Sequence, residues 1–377
     1  MIGGGAGAFI GAVHRKAAAL DSKLELVCGA FSSNPEKSKT SGEELGLDAT
    51  RVYGSFKEMM ASERKLPADV RMQAVSIVTP NHVHFEPAME ALENGFHVII
   101  DKPITFSLDE AKKLHQKVKE TGLVLALTHT YTGYPMVKEM RLRNANGAIG
   151  TIRKVYVEYP QGWLSTFLER DGNKQATWRT DPSKSGAGGA TGDIGTHAAN
   201  LAEYVSGLHI SEVCADINIM VSGRKLDDDA AALLRFNNGA SGVLIATQVA
   251  AGEENNLKVR VYGEKGGFEW THTDSNTLLY KPLDAPVLIL RAGTGYLSNT
   301  AASNLRLPAG HPEGYLEAFA NIYVAFTKAI SDHASGTFTH EDDYDFPGAA
   351  DGVRGMAFVE TMVRSGNSSQ KWTKFEV

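Results

Sequence analysis

Asp193 and His197 lie four residues apart. If that stretch is helical, the two side chains share one face, one turn apart. An imidazole that titrates near neutrality can take a proton from an alcohol. A carboxylate beside it can orient the ring, stabilise its charged form, or bind a hydroxyl itself. Far upstream, Lys102 precedes Pro103 and could supply a cation where alkoxide character develops. Each residue also has an ordinary reading. A histidine on an apolar helix face is commonly a hydrogen-bonded core residue, and a lysine before proline is commonly a plain loop residue.

A second chemistry sits at the start, Ile2-Gly3-Gly4-Gly5-Ala6-Gly7-Ala8-Phe9-Ile10-Gly11. Gly3-x-Gly5-x-x-Ala8 satisfies the dinucleotide fingerprint, which needs glycine for a tight turn, for close approach to a pyrophosphate and for helix packing. The helix opening near Phe9 and Ile10 would then offer its amides to phosphate. Gly11 is the alternative packing position, after a short insertion. A merely structural turn would use the same glycines, but the strand–helix alternation that follows favours a cofactor. Only Met1 and Ile2 precede the glycines, too few for a buried strand, so the first strand is either cut short or begins upstream. Past the second strand, where an acid would hold the ribose 2′-hydroxyl, stand Ser32, Ser33, Asn34, Pro35, Glu36 and Lys37. Small hydroxyls and Lys37 leave room for a 2′-phosphate, unless Lys37 is simply a solvated helix residue. NAD and NADP both stay open.

These groups need elements to position them. Leu24–Phe31, Ala74–Thr79, His97–Ile100 and Val124–Thr128 read as strands, separated by helices near Ile10–Leu20, from Pro35 with Asn34 as cap, over Phe85–Asn94, and after Ser107 with its capping-box partner Glu110. Such alternation implies a parallel sheet over residues 1–130, a dinucleotide-binding Rossmann domain. Beyond Tyr131 strands follow one another: Ile152–Tyr159, Ile210–Val221, Ala230–Phe236, Ser241–Val249, Asn256–Gly263 and Gly267–Thr271, with an Asn238-Gly239 hairpin turn. Residues 131–377 therefore read as an α+β domain on a largely antiparallel open sheet, serving substrate binding and oligomerisation, with C-terminal helices able to pack back on the first domain. The helix Tyr315–Ile330 spaces Leu316, Phe319, Tyr323, Phe326 and Ile330 as a core face.

The formal charge is −6, with no basic block, so nucleic acid is a poor candidate partner. Asp227-Asp228-Asp229 and Glu341-Asp342-Asp343 read as solvated loops. Two cysteines, Cys28 and Cys214, make no disulfide framework and fit a reducing, cytoplasmic setting. No apolar run of membrane-spanning length occurs, and no signal peptide is evident in this numbering. His82-x-His84 lacks a third ligand, so no metal is expected.

Taken in order, Thr79-Pro80-Asn81-His82-Val83-His84, Asp101-Lys102-Pro103 and Gly192-Asp193-Ile194-Gly195-Thr196-His197 resemble the Gfo/Idh/MocA oxidoreductases, over nearly the whole chain. The resemblance implies that Thr79, Pro80, Asn81 and His84 lie along the cofactor. It implies that Asp101, in place of the usual glutamate, approaches the nicotinamide ribose, and that Lys102 reaches the reacting hydroxyl. Asp193 and His197 match the D-x-x-x-H pair of the substrate domain. Ser32 to Lys37 is similar to a stretch in glucose–fructose oxidoreductase, which favours NADP. The expected activity is hydride transfer between NAD or NADP and a secondary alcohol of a sugar, cyclitol or glycoside. The alternatives are a prosthetic dinucleotide that couples two sugars or assists glycoside cleavage, and a nucleotide-sensing regulator. Tyr131, Trp163 and Arg179 join Lys102, Asp193 and His197 as substrate contacts, with Trp178, His129 and Tyr134 as further lining. Homodimers or homotetramers are implied.

Overall fold

The computed structural model describes residues 1–377, apart from the side chain of Lys174. The chain forms two compact units, Met1–Thr128 with Phe319–Val353, and His129–Ala318 with Arg354–Val377. The first unit thus takes in a segment from the C-terminal half, Phe319–Val353. Phe319–Val353 joins the first unit because the helix Tyr315–Ser335 buries Phe319, Tyr323 and Phe326, and the Phe319 ring meets the buried His14 ring edge-on at 4.7 Å.

The first unit is built on four parallel strands in the order β1 (Ile2–Gly3), β2 (Ala74–Val78), β3 (His97–Ile100) and β4 (Leu125–Leu127). The first strand is short yet buried: Met1 and Ile2 are 6 % and 4 % exposed, and Ile2 and Gly3 pair with Ile77 and Val78. Two residues suffice because the neighbouring strand supplies the burial. Because β1 is only two residues long, Leu24–Phe31 finds no longer partner beside it and does not become a full strand. It contributes only bridges, Ala30 to Ile2 and Gly29 to Val52. The helices start where expected: Asn34 accepts from the Lys37 amide, and Ser107 accepts from the Glu110 amide while Glu110 accepts from the Phe106 amide.

The second unit is a nine-stranded sheet, ordered β12-β11-β10-β9-β5-β8-β7-β6-β13. Its strands are β5 (Ile152–Pro160), β6 (Ile210–Asn218), β7 (Asp229–Phe236), β8 (Ser241–Thr247), β9 (Lys258–Gly263), β10 (Gly266–Thr271), β11 (Thr277–Pro282), β12 (Leu288–Arg291) and β13 (Thr373–Lys374). All pairs are antiparallel except β5 with β8. Burial alternates along β7, as period-two side-chain placement requires. Helices Pro135–Ala145, Thr196–Ser206 and Ala349–Gly366 supply Val137, Leu201 and Phe358 to its core. Among the described residues, no helix is long and apolar enough to cross a membrane.

Two acidic runs differ from expectation. Asp227 and Asp228 are 9 % and 1 % exposed rather than solvated. Glu341 turns inward, and its Oε1 accepts the Leu125 amide at the start of β4 at 2.8 Å, while Asp342 and Asp343 stay exposed. Burial pushes the Glu341 carboxyl up to about 7 from an ordinary 4.5. The folded state then holds the proton more tightly than the unfolded chain between those values. Stability should fall as pH rises through that window, by up to about 3 kcal/mol. Glu341→Gln removes this dependence. The melting temperature of the wild type relative to Glu341→Gln is expected to drop between pH 5 and pH 8; a constant difference would contradict it.

Candidate active site

In the first unit the expected residues gather at the carboxyl ends of the parallel strands, where ligands bind in such sheets. The turn after β1 runs into the helix Phe9–Leu20. A Cβ on Gly11 would lie 2.3 Å from the Gly4 Cα, so Gly4 and Gly11 are the close-packed pair. Ala8 is instead the helix N-cap, and it gives no side-chain cap. Gly7 has φ +76 and open space around it. Phe9 is 66 % exposed, and the first helical turn carries no acid.

Beside that turn, Ser32 accepts from the Asn34 amide, and Ser33 and Lys37 are exposed. After β2, Thr79 donates to the Val83 carbonyl, Pro80 is exposed and Asn81 is buried. His84 is held by backbone on both sides. It is 1 % exposed, and its ring nitrogens lie 2.8 Å from the Pro103 carbonyl and 2.7 Å from the Thr79 carbonyl. Set between these two carbonyls, the ring links the loop after β2 to the loop after β3. Burial lowers its pKa against the upward pull of Asp101 and the two carbonyls.

Asp101 follows β3. Its Oδ1 accepts from the Lys102 amide at 3.0 Å and the Thr128 hydroxyl at 2.9 Å. Burial alone would raise this carboxyl, but His14, Lys102 and His84 hold it well below the usual carboxylate range. His14 Nε2 lies 4.0 Å from Asp101, while its Nδ1 meets the Tyr323 hydroxyl at 2.7 Å. Nothing in the sequence around His14 singles it out.

In the second unit, Asp193 sits in a single π-helical turn, Thr191–Gly195, which passes into the α-helix Thr196–Ser206 carrying His197. Two glycines and a threonine disfavour regular α-helix there, and such turns concentrate at functional sites. The turn is fixed from below. The carboxylate of Asp227 accepts the Gly189 amide at 2.6 Å and the Thr191 amide at 2.7 Å. Next to it, Arg224 pairs with Asp228 and Glu169.

His197, 9 % exposed, lies 3.3 Å from His129, Nδ1 to Nδ1. The Tyr131 ring meets it edge-on at 5.0 Å. Asn255 ties this wall together. Its Oδ1 accepts from the Tyr159 hydroxyl and from Gln161 Nε2, and its Nδ2 donates to the Tyr131 oxygen. Since the Tyr159 proton is spent on Asn255, Tyr131 donates to Tyr159, closing a ring. Burial raises both phenols above their ordinary pKa. His272 donates through Nδ1 to the Asn255 carbonyl and accepts at Nε2 from Tyr134; burial lowers its pKa, consistent with a neutral ring. Trp163 donates to Gln161 Oε1. Arg179 is engaged by Asp193 at 3.3 Å and lies over the Trp178 ring. Arg179 is thus a partner of the Asp193 carboxylate.

Family models match both halves: residues 1–129 an oxidoreductase family with an NAD-binding Rossmann fold, and residues 137–269 a GFO/IDH/MocA C-terminal domain. The chain belongs to the GFO/IDH/MocA oxidoreductase family. An uncharacterised oxidoreductase of Bacillus subtilis, YfiI, is 32 % identical across 100 % of this chain and 96 % of its own. The crystal structure of an oxidoreductase from Sinorhizobium meliloti is 49 % identical with a TM-score of 0.87, covering 99 % of this chain and 98 % of that one. An inositol dehydrogenase homolog from Azotobacter vinelandii, in complex with NADH and myo-inositol, is 33 % identical with a TM-score of 0.92, covering 100 % and 96 %.

The Rossmann unit of this GFO/IDH/MocA member fits a dinucleotide by its own features. The helix after the glycine turn begins without a side-chain cap or an acid, beside a glycine with open space, which leaves its N-terminal dipole end for phosphate. Several site residues are not singled out by the sequence. Tyr159 carries a signal, since it continues the inward alternation Val155, Val157, Tyr159 along β5. Gln161 and Gln248 lie just past the ends of β5 and β8, and Asn255 lies in the loop before β9, so nothing in the sequence brings the three together.

The Asp227 clamp can be tested directly. Asp227→Asn keeps the shape but turns a donor toward one of the two backbone amides. A loss of about 1–3 kcal/mol is expected from urea unfolding at pH 7, and an unchanged midpoint would contradict the clamp.

Proposed function

We propose that this oxidoreductase transfers a hydride between NAD and a secondary alcohol of a cyclitol or sugar. The observation that carries the reading is the Asp193–His197 pair, presented on one helical turn against a wall of phenols, amides and an indole. Aromatic faces with a few oriented polar groups suit a polyol. The Azotobacter vinelandii relative, whose structure holds NADH and myo-inositol, supports the substrate class.

Bound NAD would supply the hydride acceptor. The rest falls to side chains of this chain. Gly3, Gly5, Ala8, Phe9 and Ile10 hold the pyrophosphate through the turn and the open helix end. Ser32, Ser33 and Lys37 meet the adenosine ribose, and their lack of a carboxylate leaves room for NADP as a second cofactor. Thr79, Pro80 and Asn81 line the dinucleotide, and Asp101 faces the nicotinamide side with Lys102. During oxidation the Lys102 ammonium stabilises the developing alkoxide. His197 takes the hydroxyl proton and Asp193 orients it. Tyr131, Trp163 and Arg179 shape the polyol site. The proton of Tyr131 is committed to Tyr159, so Tyr131 meets substrate as a ring face or an acceptor.

The test is a panel of myo-inositol, scyllo-inositol, glucose and levoglucosan with NAD and with NADP, followed at the reduced-nicotinamide absorbance. Oxidation of at least one polyol is expected. His197→Ala and Lys102→Ala should each lower kcat by at least about 100-fold. Silence across the panel while NAD binds, or full activity in both variants, would overturn the reading.

A further inference from the structure

Gln248 follows β8 and is 2 % exposed. A buried primary amide must place two donors and an acceptor, so its orientation carries information. Here the orientation follows from a neighbour. The Trp163 indole nitrogen can only donate, and it lies 3.0 Å from Gln161 Oε1. That fixes the Gln161 oxygen toward Trp163 and its nitrogen toward Asn255, at 2.6 Å. The Gln248 atom 3.3 Å from the Gln161 oxygen must then be its nitrogen. The same nitrogen lies 2.9 Å from Asp193 Oδ2, so both of its hydrogens are assigned. The backbone is held as well: the Gln248 amide donates to the Asp228 carbonyl, and the Leu164 amide donates to the Gln248 carbonyl.

We propose that Gln248 is a positioning residue for Asp193, a neutral donor that holds the carboxylate oriented and ionised and couples it to the Gln161–Trp163 wall. This rests on the role given to Asp193 above. A hydrogen bond to an ionised acceptor is among the strong ones, and a neutral donor forms it without adding charge to the site. The charged and titratable groups around Asp193 are Arg179 on the helix Lys174–Arg179, His197 on the helix that follows, Tyr131 and Tyr159, and Asp227 beneath the turn. Arg179 supplies charge from its own helix, whereas Gln248 ties the carboxylate to the wall.

Two variants separate positioning from packing. Gln248→Met keeps the volume and removes the donors. Gln248→Glu puts a second carboxyl at hydrogen-bond distance from Asp193, and two such groups cannot both ionise without strong repulsion. While the pair holds one proton, the introduced carboxyl can still donate to Asp193, as glutamine does. Once the proton leaves, the donor is lost and like charges face each other.

Using the fastest-oxidised polyol of the panel with NAD, the activity of Gln248→Glu relative to wild type is expected to fall at least about tenfold between pH 6 and pH 9. Gln248→Met should lose about tenfold in kcat at every pH, with a melting temperature close to wild type. Asp193→Asn serves as the control. Full activity in Asp193→Asn overturns the parent reading and with it the role of Gln248. Loss in Asp193→Asn with a pH-independent ratio for Gln248→Glu, or full kcat in Gln248→Met, overturns the Gln248 role alone.

Discussion

A carboxylate taken out of water must find donors or lose its charge, and Asp227 finds them in the amides of Gly189 and Thr191. That interaction fixes the backbone that enters the helical segment carrying Asp193 and His197. It holds the backbone entering Thr191–Gly195 in a π-helical turn that regular α-helix would not produce. From the turn hang Asp193 and, one step into the helix, His197. Desolvation raises the Asp227 carboxyl while the two amides pull it back down. The anchor's geometry depends on both donors being present.

The first unit solves its own problem by contact rather than charge. Gly4 and Gly11 bring the turn and the helix so close that any side chain would collide with backbone. This aims an uncapped helix end outward. His84 then ties the loops after β2 and β3 together through two carbonyls, and Asp101 ties the loop after β3 to the end of β4 through the Thr128 hydroxyl. The lysine next to Asp101 thus starts from a backbone fixed on both sides. His14, Ser76 and Tyr323 form a polar cluster, and the helix Tyr315–Ser335 belongs to this unit from Phe319 onward.

Much of this was legible before any coordinates. Period-two burial made β7 and β5 readable, caps placed the helices at Asn34 and Ser107, and the four-residue spacing of Asp193 and His197 put both on one turn. What escaped has physical reasons. A run of acids looks the same solvated or clamped, so Asp227, Asp228 and Glu341 gave no sign of turning inward. Leu24–Phe31 has strand composition, but its neighbour β1 spans two residues, and pairing follows the neighbour. Ala8 satisfied a spacing rule while Gly11 made the contact. Gln161, Asn255 and Gln248 come from separate strand ends and acquire meaning only through one another.

The central claim is that His197, held by its turn, removes the proton as hydride leaves carbon. The direct measurement is a single turnover with NAD and a polyol deuterated at its secondary carbons, reading deuterium in the reduced nicotinamide by mass spectrometry. Wild type should deliver one deuterium per dinucleotide, and His197→Ala should do so at least about 100-fold more slowly at pH 7. A reduced dinucleotide without deuterium, or equal rates in the two proteins, would contradict it.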